Sequence, residues 1–171
     1  MISRLCPTFF ADSAYDIDYA KLYGRGFRAL IFDIDNTLVP HGADATPQAE
    51  DLLRNLRTMG FKVLLLSDNS RARVRQFNHS IHAPYIYDAH KPSPRAYKKA
   101  VQMMGVKPAE TIVVGDQLFT DILGANRARL ASVFVIYKGY GQPGWKGWRR
   151  LAENIVLAFI RRKRRNLNIP S

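Results

Sequence analysis

Short apolar runs alternate with helical patterns along the middle of the chain. The runs are mostly continuous rather than interleaved with polar residues, as in strands that are buried on both faces. They cover residues 28–32, 61–66, 85–88, 111–115 and 133–137. Strands that alternate with helices predict an α/β fold, in which helices cover both faces of a central parallel sheet of about five strands.

The segments between the strands carry helix signals. In two of them a Ser or Thr precedes a proline, which suits an N-cap and first helical position, and a glycine ends the apolar stripe. These signals are Thr46–Pro47 with Gly60, and Ser93–Pro94 with Gly105. A basic helix with Val74 and Phe77 inside is predicted after Asn69, and another helix over residues 119–129. Residues 1–27 lack a clean period, and we expect this N-terminal segment to pack on the core.

Polar side chains stand where the predicted strands end. Asp33 and Asp35 follow the first strand, and extended geometry would place them on one face because they lie two residues apart. Ser67 follows the run 61–66 and Asp116 follows the run 111–115, and Lys91 lies just past the run 85–88. A hydrophobic core does not explain such carboxylates, because an unpaired buried charge is costly. Parallel sheets bind ligands beyond the carboxyl ends of their strands, so these residues predict a site for a cation or a charged substrate.

The residue types at this edge favour phosphoryl transfer assisted by a metal ion. Three carboxylates, Asp33, Asp35 and Asp116, suit a hard divalent ion such as Mg²⁺. Ser67 offers a hydroxyl, and Lys91 offers a compact positive charge that favours phosphate oxygens. The sequence has no glycine-rich Walker loop, which disfavours nucleotide hydrolysis by that route, and its histidines lack zinc spacing. An aspartate nucleophile with metal assistance fits what remains.

Four motifs, in order on the predicted elements, resemble those of the haloacid dehalogenase-like (HAD) superfamily. They are Asp33-x-Asp35-x-Thr37, Ser67 after an apolar strand, Lys91 before Pro92, and Gly115-Asp116-x-x-x-x-Asp121. A finer resemblance is to subfamily IIIA, the bacterial branch similar to mitochondrial and plant phosphatidylglycerophosphate phosphatases. It extends to Leu5-Cys6-Pro7, to Ser67-Asp68-Asn69 with Arg73, and to residues 115–121. The resemblance implies a three-layer Rossmann-like HAD fold over residues 28–137.

The resemblance also implies a role for each matched residue. Asp33 is expected to attack phosphorus and form an aspartyl-phosphate, and Asp35 is expected to act first as an acid and then as a base. Mg²⁺ is expected on Asp33, the backbone carbonyl of Asp35, and Asp116, and Asp121 is expected to support Asp116. The expected phosphate-binding residues are Thr37, Ser67, Asp68, Asn69 and Lys91, and the expected supporting residues are Arg73, Gln117 and Asp121. The family more often has Asn at the position of Asp68.

The spacing of the motifs indicates an open site. One helix and one strand use most of the chain between Asp33 and Ser67, and again between Ser67 and Lys91. Neither interval can hold the separate cap domain with which other HAD enzymes enclose small metabolites. An open site suits a phosphate carried on something large, such as a lipid head group, a protein or a nucleic-acid end.

Positive charge is concentrated in the C-terminal segment. The chain has a formal net charge of +12, of which residues 138–171 contribute +8 with nine Lys or Arg and one acid. Over residues 148–160 apolar side chains recur at helical spacing, and the basic run 161–165 follows. An amphipathic helix with a basic end suits docking on an anionic membrane through residues 148–165. The alternative is a last helix packed on the sheet. Nucleic acid is disfavoured because no aromatic stacking platform accompanies the basic run.

Chain length and cysteine content bound the setting. A chain of 171 residues with one cysteine, Cys6, forms no internal disulfide, which favours a reducing compartment. No secretory leader opens the sequence, so we expect a cytoplasmic protein, with a peripheral position on the inner face of the membrane as a further option. The expected organisation is an N-terminal segment (1–27), a HAD catalytic core (28–137) and a basic C-terminal helix and tail (138–171).

Resemblance and tail together predict dephosphorylation of phosphatidylglycerophosphate to phosphatidylglycerol in phospholipid biosynthesis. A first alternative is a soluble HAD phosphatase for sugar phosphates, nucleotides or phosphoproteins. A second is a non-catalytic adaptor that binds RNA or membranes, against which the complete set of Asp33, Asp35, Lys91 and Asp116 argues.

Overall fold

Six strands form one parallel sheet in the computed structural model, which describes residues 2–135. The strands are β1 (Phe9–Ala11), β2 (Ala29–Phe32), β3 (Lys62–Leu66), β4 (Tyr85–Ile86), β5 (Thr111–Gly115) and β6 (Ala131–Val135). Their order across the sheet is β1-β6-β5-β2-β3-β4, and every neighbouring pair is parallel. The predicted α/β fold with a central parallel sheet is confirmed, with six strands rather than about five.

The additional strand lies in the N-terminal segment. β1 pairs with β6 at one edge of the sheet, where Phe10 is opposite Phe134. The chain before β1 is held by Asn126, whose Nδ2 donates to the carbonyls of Arg4 and Cys6 at 2.7 and 3.0 Å. A strand of three residues is too short to show a period of two, so the hydrophobic pattern did not predict it.

The α-helices that the structure describes connect these strands. They are α1 (Tyr19–Gly24), α2 (Pro47–Thr58), α3 (Arg71–Phe77), α4 (Pro94–Met104) and α5 (Leu123–Ala128). The predicted starts of α2 and α4 are confirmed, because the side chains of Thr46 and Ser93 accept hydrogen bonds from first-turn amides. Gly105 ends α4 with a φ of 59°, a left-handed conformation that glycine adopts readily. A π-helical turn, Leu118–Ile122, precedes α5 where the pattern predicted one continuous helix over residues 119–129.

Alternate residues of β2 face two separate apolar clusters, which gives the fold three layers. Leu30 and Phe32 pack with α1, α2 and α3, whereas Ala29 and Ile31 pack with α4 and α5 on the other side. All four side chains are completely buried. A strand that is covered on both faces needs apolar residues throughout, which is why β2 appears in the sequence as a continuous apolar run.

The order of the strands brings the predicted site residues to one edge. β2 lies between β5 and β3, and its last residue, Phe32, is opposite Val114 and Leu65. The residues that follow these three strands therefore meet at the carboxyl edge of the sheet. No helix within residues 2–135 is long and apolar enough to cross a membrane. The segment 148–165, for which the sequence predicts membrane docking, lies outside the described residues.

Candidate active site

Backbone hydrogen bonds extend the sheet into the site. The amide of Asp33 donates to the carbonyl of Val114 at 3.0 Å, and the amide of Ser67 donates to the carbonyl of Ile86, also at 3.0 Å. Both residues are buried, although each follows the last residue of its strand. Asp33 and Ser67 are therefore held by the same hydrogen-bond ladder that fixes the strands before them.

Lys91 joins two of the predicted carboxylates. Its Nζ lies 2.6 Å from Oδ1 of Asp33 and 2.8 Å from Oδ1 of Asp121, and all three side chains are at most 7% exposed. Burial raises the pKa of Asp33 to about 7, because the attraction of Lys91 does not offset the loss of solvation. Burial alone would lower the pKa of Lys91, but Asp121 and Asp33 raise it well above its ordinary value. Lys91 is therefore a permanent cation among these acids.

Three carboxylates form a group that could hold a divalent cation. Oxygen atoms of Asp33, Asp116 and Asp121, here called the acidic cluster, lie within 4.8 Å of one another. The Thr37 hydroxyl lies 3.4 Å from Oδ2 of Asp33 and 3.5 Å from Oδ1 of Asp116. Carboxylate oxygens are ligands that Mg²⁺ prefers. An oxygen of Asp121 belongs to this cluster, and the predicted support of Asp116 by Asp121 stays a prediction.

The carboxylate of Asp35 has hydrogen-bond partners outside the acidic cluster. Its Oδ1 accepts from the amide of Gly42 and from Nη2 of Arg73, both at 2.8 Å, and its Oδ2 accepts from Nδ2 of Asn69. The chain turns at Asn36, whose φ of 61° lies in the left-handed region that Asn tolerates. The carboxylate of Asp35, which the residue types grouped with Asp33 and Asp116, therefore lies outside the acidic cluster. Its backbone carbonyl stays a predicted metal ligand.

The loop after β3 faces both Asp35 and Lys91. The backbone amide and the side-chain Nδ2 of Asn69 donate to Oγ of Ser67 at 3.1 and 3.3 Å. Asp68 supports the neighbouring loop, because its Oδ1 accepts the amide hydrogen of Lys91 at 2.8 Å. This contact joins the two loops, and the predicted phosphate binding by Asp68 stays a prediction.

Tyr97 supports the site, which the sequence pattern did not predict. In the sequence it is one member of the apolar stripe of α4, yet its hydroxyl donates to the carbonyl of Thr120 at 3.2 Å. The side chain is completely buried, and its pKa is raised by that burial and then by the nearby charge of Asp121.

The backbone amide of Gln117, a predicted supporting residue, donates to Oδ2 of Asp121 at 3.2 Å. Asp121 is therefore fixed by a backbone donor as well as by Lys91.

Gly115 allows Asp121 to lie against the end of β5. A Cβ at position 115 would lie 2.4 Å from Cγ of Asp121, closer than nonbonded carbon atoms approach. We expect Gly115→Ala to lower the free energy of unfolding by about 1–3 kcal/mol, because the buried carboxylate must move. Urea denaturation measures the change. The matched control is Gly24→Ala, where a Cβ would have no neighbour within 4 Å. Equal stability of the two variants would contradict the contact.

Known proteins with similar sequences are hydrolases and phosphatases. The family model of haloacid dehalogenase-like hydrolases matches residues 41–129. The probable phosphatase YqeG of Bacillus subtilis is 33% identical over 158 residues, which cover 92% of this chain and 92% of that protein. The chain belongs to the haloacid dehalogenase-like hydrolases. The predicted enzyme class, a HAD-type phosphatase, is confirmed by this membership and by phosphatase relatives.

Two further relatives of this HAD phosphatase differ in their named substrates. A glyceraldehyde 3-phosphate phosphatase of Pyrococcus furiosus is 29% identical over 83% of this chain and 71% of that protein. The chloroplastic phosphatidylglycerophosphate phosphatase 1 of Chlamydomonas reinhardtii is 26% identical over 78% of this chain and 53% of that protein.

A solved structure shares the fold. It is the cobalt-bound deoxy-D-mannose-octulosonate 8-phosphate phosphatase of Haemophilus influenzae, with a TM-score of 0.52 over 81% of this chain and 90% of that chain. At 14% identity this similarity shows the fold alone.

Proposed function

We propose that this phosphatase hydrolyses phosphomonoesters through an aspartyl-phosphate on Asp33. The observation that carries the proposal is the position of Asp33, which is buried at the end of β2, paired with Lys91 and part of the acidic cluster. In the first step an oxygen of Asp33 bonds to phosphorus, the ester P–O bond breaks, and Asp35 gives its proton to the leaving oxygen. In the second step Asp35 takes a proton from the water that attacks phosphorus, and the bond to Asp33 breaks.

The acidic cluster fits Mg²⁺ as the cofactor. Three carboxylates converge within 4.8 Å, and their oxygens are the ligand type that a hard divalent cation prefers. Asp33, Asp116 and Asp121 would hold the ion together with the backbone carbonyl of Asp35. Bound there, Mg²⁺ would neutralise negative charge that develops on the phosphoryl oxygens.

Donors for the phosphoryl oxygens stand on three loops. Ser67 accepts hydrogen bonds from Asn69, so its own hydroxyl proton is available to a phosphoryl oxygen. The Lys91 ammonium has three protons, and two of them are directed to Asp33 and Asp121. The third is available to the transferring group, where charge neutralisation contributes most to catalysis. Thr37 adds a hydroxyl at the acidic cluster.

We further propose that the substrate is phosphatidylglycerophosphate, hydrolysed at the inner face of the membrane. The similarity to the algal enzyme supports this substrate, although the matched region spans only 53% of that protein. The open edge of the site also supports it, because only α2 and β3 lie between Asp33 and Ser67 and only α3 and β4 between Ser67 and Lys91. The predicted basic segment 148–165 suits an anionic lipid surface.

A soluble phosphorylated metabolite is the second candidate substrate. The similarity to the archaeal glyceraldehyde 3-phosphate phosphatase, over 83% of this chain, favours it. The acidic cluster and Lys91 would act in the same way on either ester, because these residues bind the phosphoryl group and not the alcohol.

A phosphate-release panel separates the two substrates. The full chain is assayed with phosphatidylglycerophosphate in mixed micelles and with glyceraldehyde 3-phosphate, each in Mg²⁺ and in EDTA. We expect the lipid to give the higher kcat/KM, and EDTA to abolish turnover of both. Equal or faster turnover of the small ester would contradict the lipid assignment, and full activity in EDTA would contradict the metal. Truncation after residue 160 should lower activity on the lipid alone.

A further inference from the structure

The two oxygen atoms of the Asp35 carboxylate have different surroundings. Oδ1 accepts two hydrogen bonds at 2.8 Å, one from the amide of Gly42 and one from Nη2 of Arg73. Oδ2 accepts from Nδ2 of Asn69, which also lies 3.3 Å from Oγ of Ser67. Oδ1 is therefore on the side of α3 and of the loop after Asp35. Oδ2 is on the side of Ser67, the hydroxyl proposed to bind the phosphoryl group.

Arg73 contacts Oδ1 of Asp35 from a helix that packs on the core. It lies in α3, whose Val74 and Phe77 are completely buried in the core. Its Nη2 also donates to the carbonyl of Ala43 at 2.7 Å, so one nitrogen joins Asp35 to the loop that follows it. The side chains of Arg73 and Asp35 are 14% and 9% exposed. Water therefore screens this ion pair much less than a surface pair.

The other guanidinium nitrogens of Arg73 leave hydrogen-bond donors unused within the described residues. Its Nε and Nη1 are buried and make no hydrogen bond in the described residues. A buried donor without a partner costs about 1–3 kcal/mol, and native structures rarely keep one without a reason. The guanidinium also lies over the Phe77 ring, 5.9 Å from its centroid, but its described hydrogen bonds come from Nη2 and go to Asp35 and Ala43.

We propose that Arg73 is a positioning residue that anchors Oδ1 of Asp35 and thereby makes Oδ2 the oxygen that moves the proton. This inference rests on the proposed function, in which Asp35 is the acid and base. In the first step the proton passes from Oδ2 to the ester oxygen as the P–O bond breaks and Asp33 bonds to phosphorus. In the second step Oδ2 takes a proton from the attacking water as the Asp33–phosphorus bond breaks. Oδ1 keeps its two donors throughout.

The inference predicts a dependence on the leaving group. An alkyl alcohol leaves only when its oxygen is protonated, so hydrolysis of an alkyl phosphate needs a correctly placed Oδ2. p-Nitrophenolate is stable as an anion and leaves without a proton. Because kcat/KM reports the steps up to breaking of the ester bond, the ratio of kcat/KM for the two kinds of ester isolates the placement of Asp35.

The experiment compares kcat/KM of the full-length wild type with that of Arg73→Met. The alkyl esters are phosphatidylglycerophosphate in mixed micelles and glyceraldehyde 3-phosphate, and the aryl ester is p-nitrophenyl phosphate. We expect Arg73→Met to lose about 100-fold on the alkyl ester that the wild type prefers and less than about 3-fold on the aryl ester. Arg73→Lys keeps the charge but not the planar fork, and should lose an intermediate amount on the alkyl ester. Arg75→Met, at an exposed position of α3, is the matched control and should lose nothing on either ester.

Two outcomes would overturn the inference, and they have different causes. An equal loss on alkyl and aryl esters in both Arg73→Met and Arg73→Lys would show that Arg73 only stabilises the fold. Asp35→Asn calibrates the assay and should show the same leaving-group dependence, only larger. If Asp35→Asn shows no such dependence, Asp35 is not the acid, and the proposed function fails together with the inference. Circular dichroism identifies any variant that does not fold, and Arg73→Lys then provides the comparison.

Discussion

Replacing Asp33 by Asn abolishes hydrolysis and leaves the protein folded. An amide oxygen is a far weaker nucleophile than a carboxylate, so kcat falls by more than about 10³-fold. The fold persists because Asn occupies nearly the same volume and carries no charge to bury. Phosphate release in Mg²⁺ measures the activity, and circular dichroism measures the fold. Asp51→Asn, at an exposed position of α2, is the matched control and keeps full activity. Turnover by the folded Asp33→Asn variant at more than a few per cent of the wild-type rate would refute the nucleophile.

The same substitution changes how stability depends on pH. Burial raises the pKa of Asp33 from 3.8 to about 7, so the folded state binds this proton more tightly than the unfolded chain does. Protonated Asp33 therefore favours the folded wild type in EDTA at low pH, and the free energy of unfolding falls as the pH rises from about 4 to about 7. Because Asp33→Asn removes the titrating group, the variant in EDTA should be at least as stable as the wild type at pH 8. Urea denaturation at pH 5 and pH 8 measures both proteins.

Replacing Lys91 by Met has the second large effect. The Lys91 ammonium is the shared partner of Asp33 and Asp121, and its side chain is 4% exposed. Its removal leaves both carboxylates buried without their cation, which costs about 3–5 kcal/mol of unfolding free energy for a buried pair. Activity falls as well, by more than about 100-fold, because the transferring phosphoryl group loses a positive charge.

Urea denaturation in EDTA measures the stability of Lys91→Met, and EDTA is needed because a bound cation would replace part of the lost charge. The matched control is Lys98→Met, at an exposed position of α4, which should unfold like the wild type. If the two lysine variants have the same unfolding midpoint, Lys91 does not compensate the acidic cluster.

The sequence predicted those parts of the fold that depend on local patterns. β2 appears as a continuous apolar run because both of its faces are covered, and Thr46 and Gly105 mark helix ends through their own hydrogen bonding and φ. β1 was not predicted, because three residues show no period and the strand forms only by pairing with β6. The π-helical turn before α5 was not predicted either, since its residues follow an ordinary helical pattern.

The candidate site was predicted where it lies at strand ends. Asp33, Ser67 and Asp116 follow strands that the sheet order makes neighbours, so their convergence follows from the fold class. The contacts of Asp35 could not be predicted, because its partners include the backbone amide of Gly42. The hydrogen bond from Tyr97 to the backbone of Thr120 could not be predicted either, because a buried Tyr on a helix has the same sequence pattern as any other core residue.

Detection of phosphate on Asp33 during turnover would identify the nucleophile directly. The enzyme is quenched in acid while it hydrolyses its substrate in Mg²⁺, and borohydride then reduces an aspartyl-phosphate to homoserine. Mass spectrometry of the peptide that contains residues 29–38 locates the reduced residue. We expect homoserine at position 33 in the wild type, and none without substrate or in Asp33→Asn. Reduction at another residue, or none at position 33 while phosphate is being released, would contradict the assignment of Asp33 as the nucleophile.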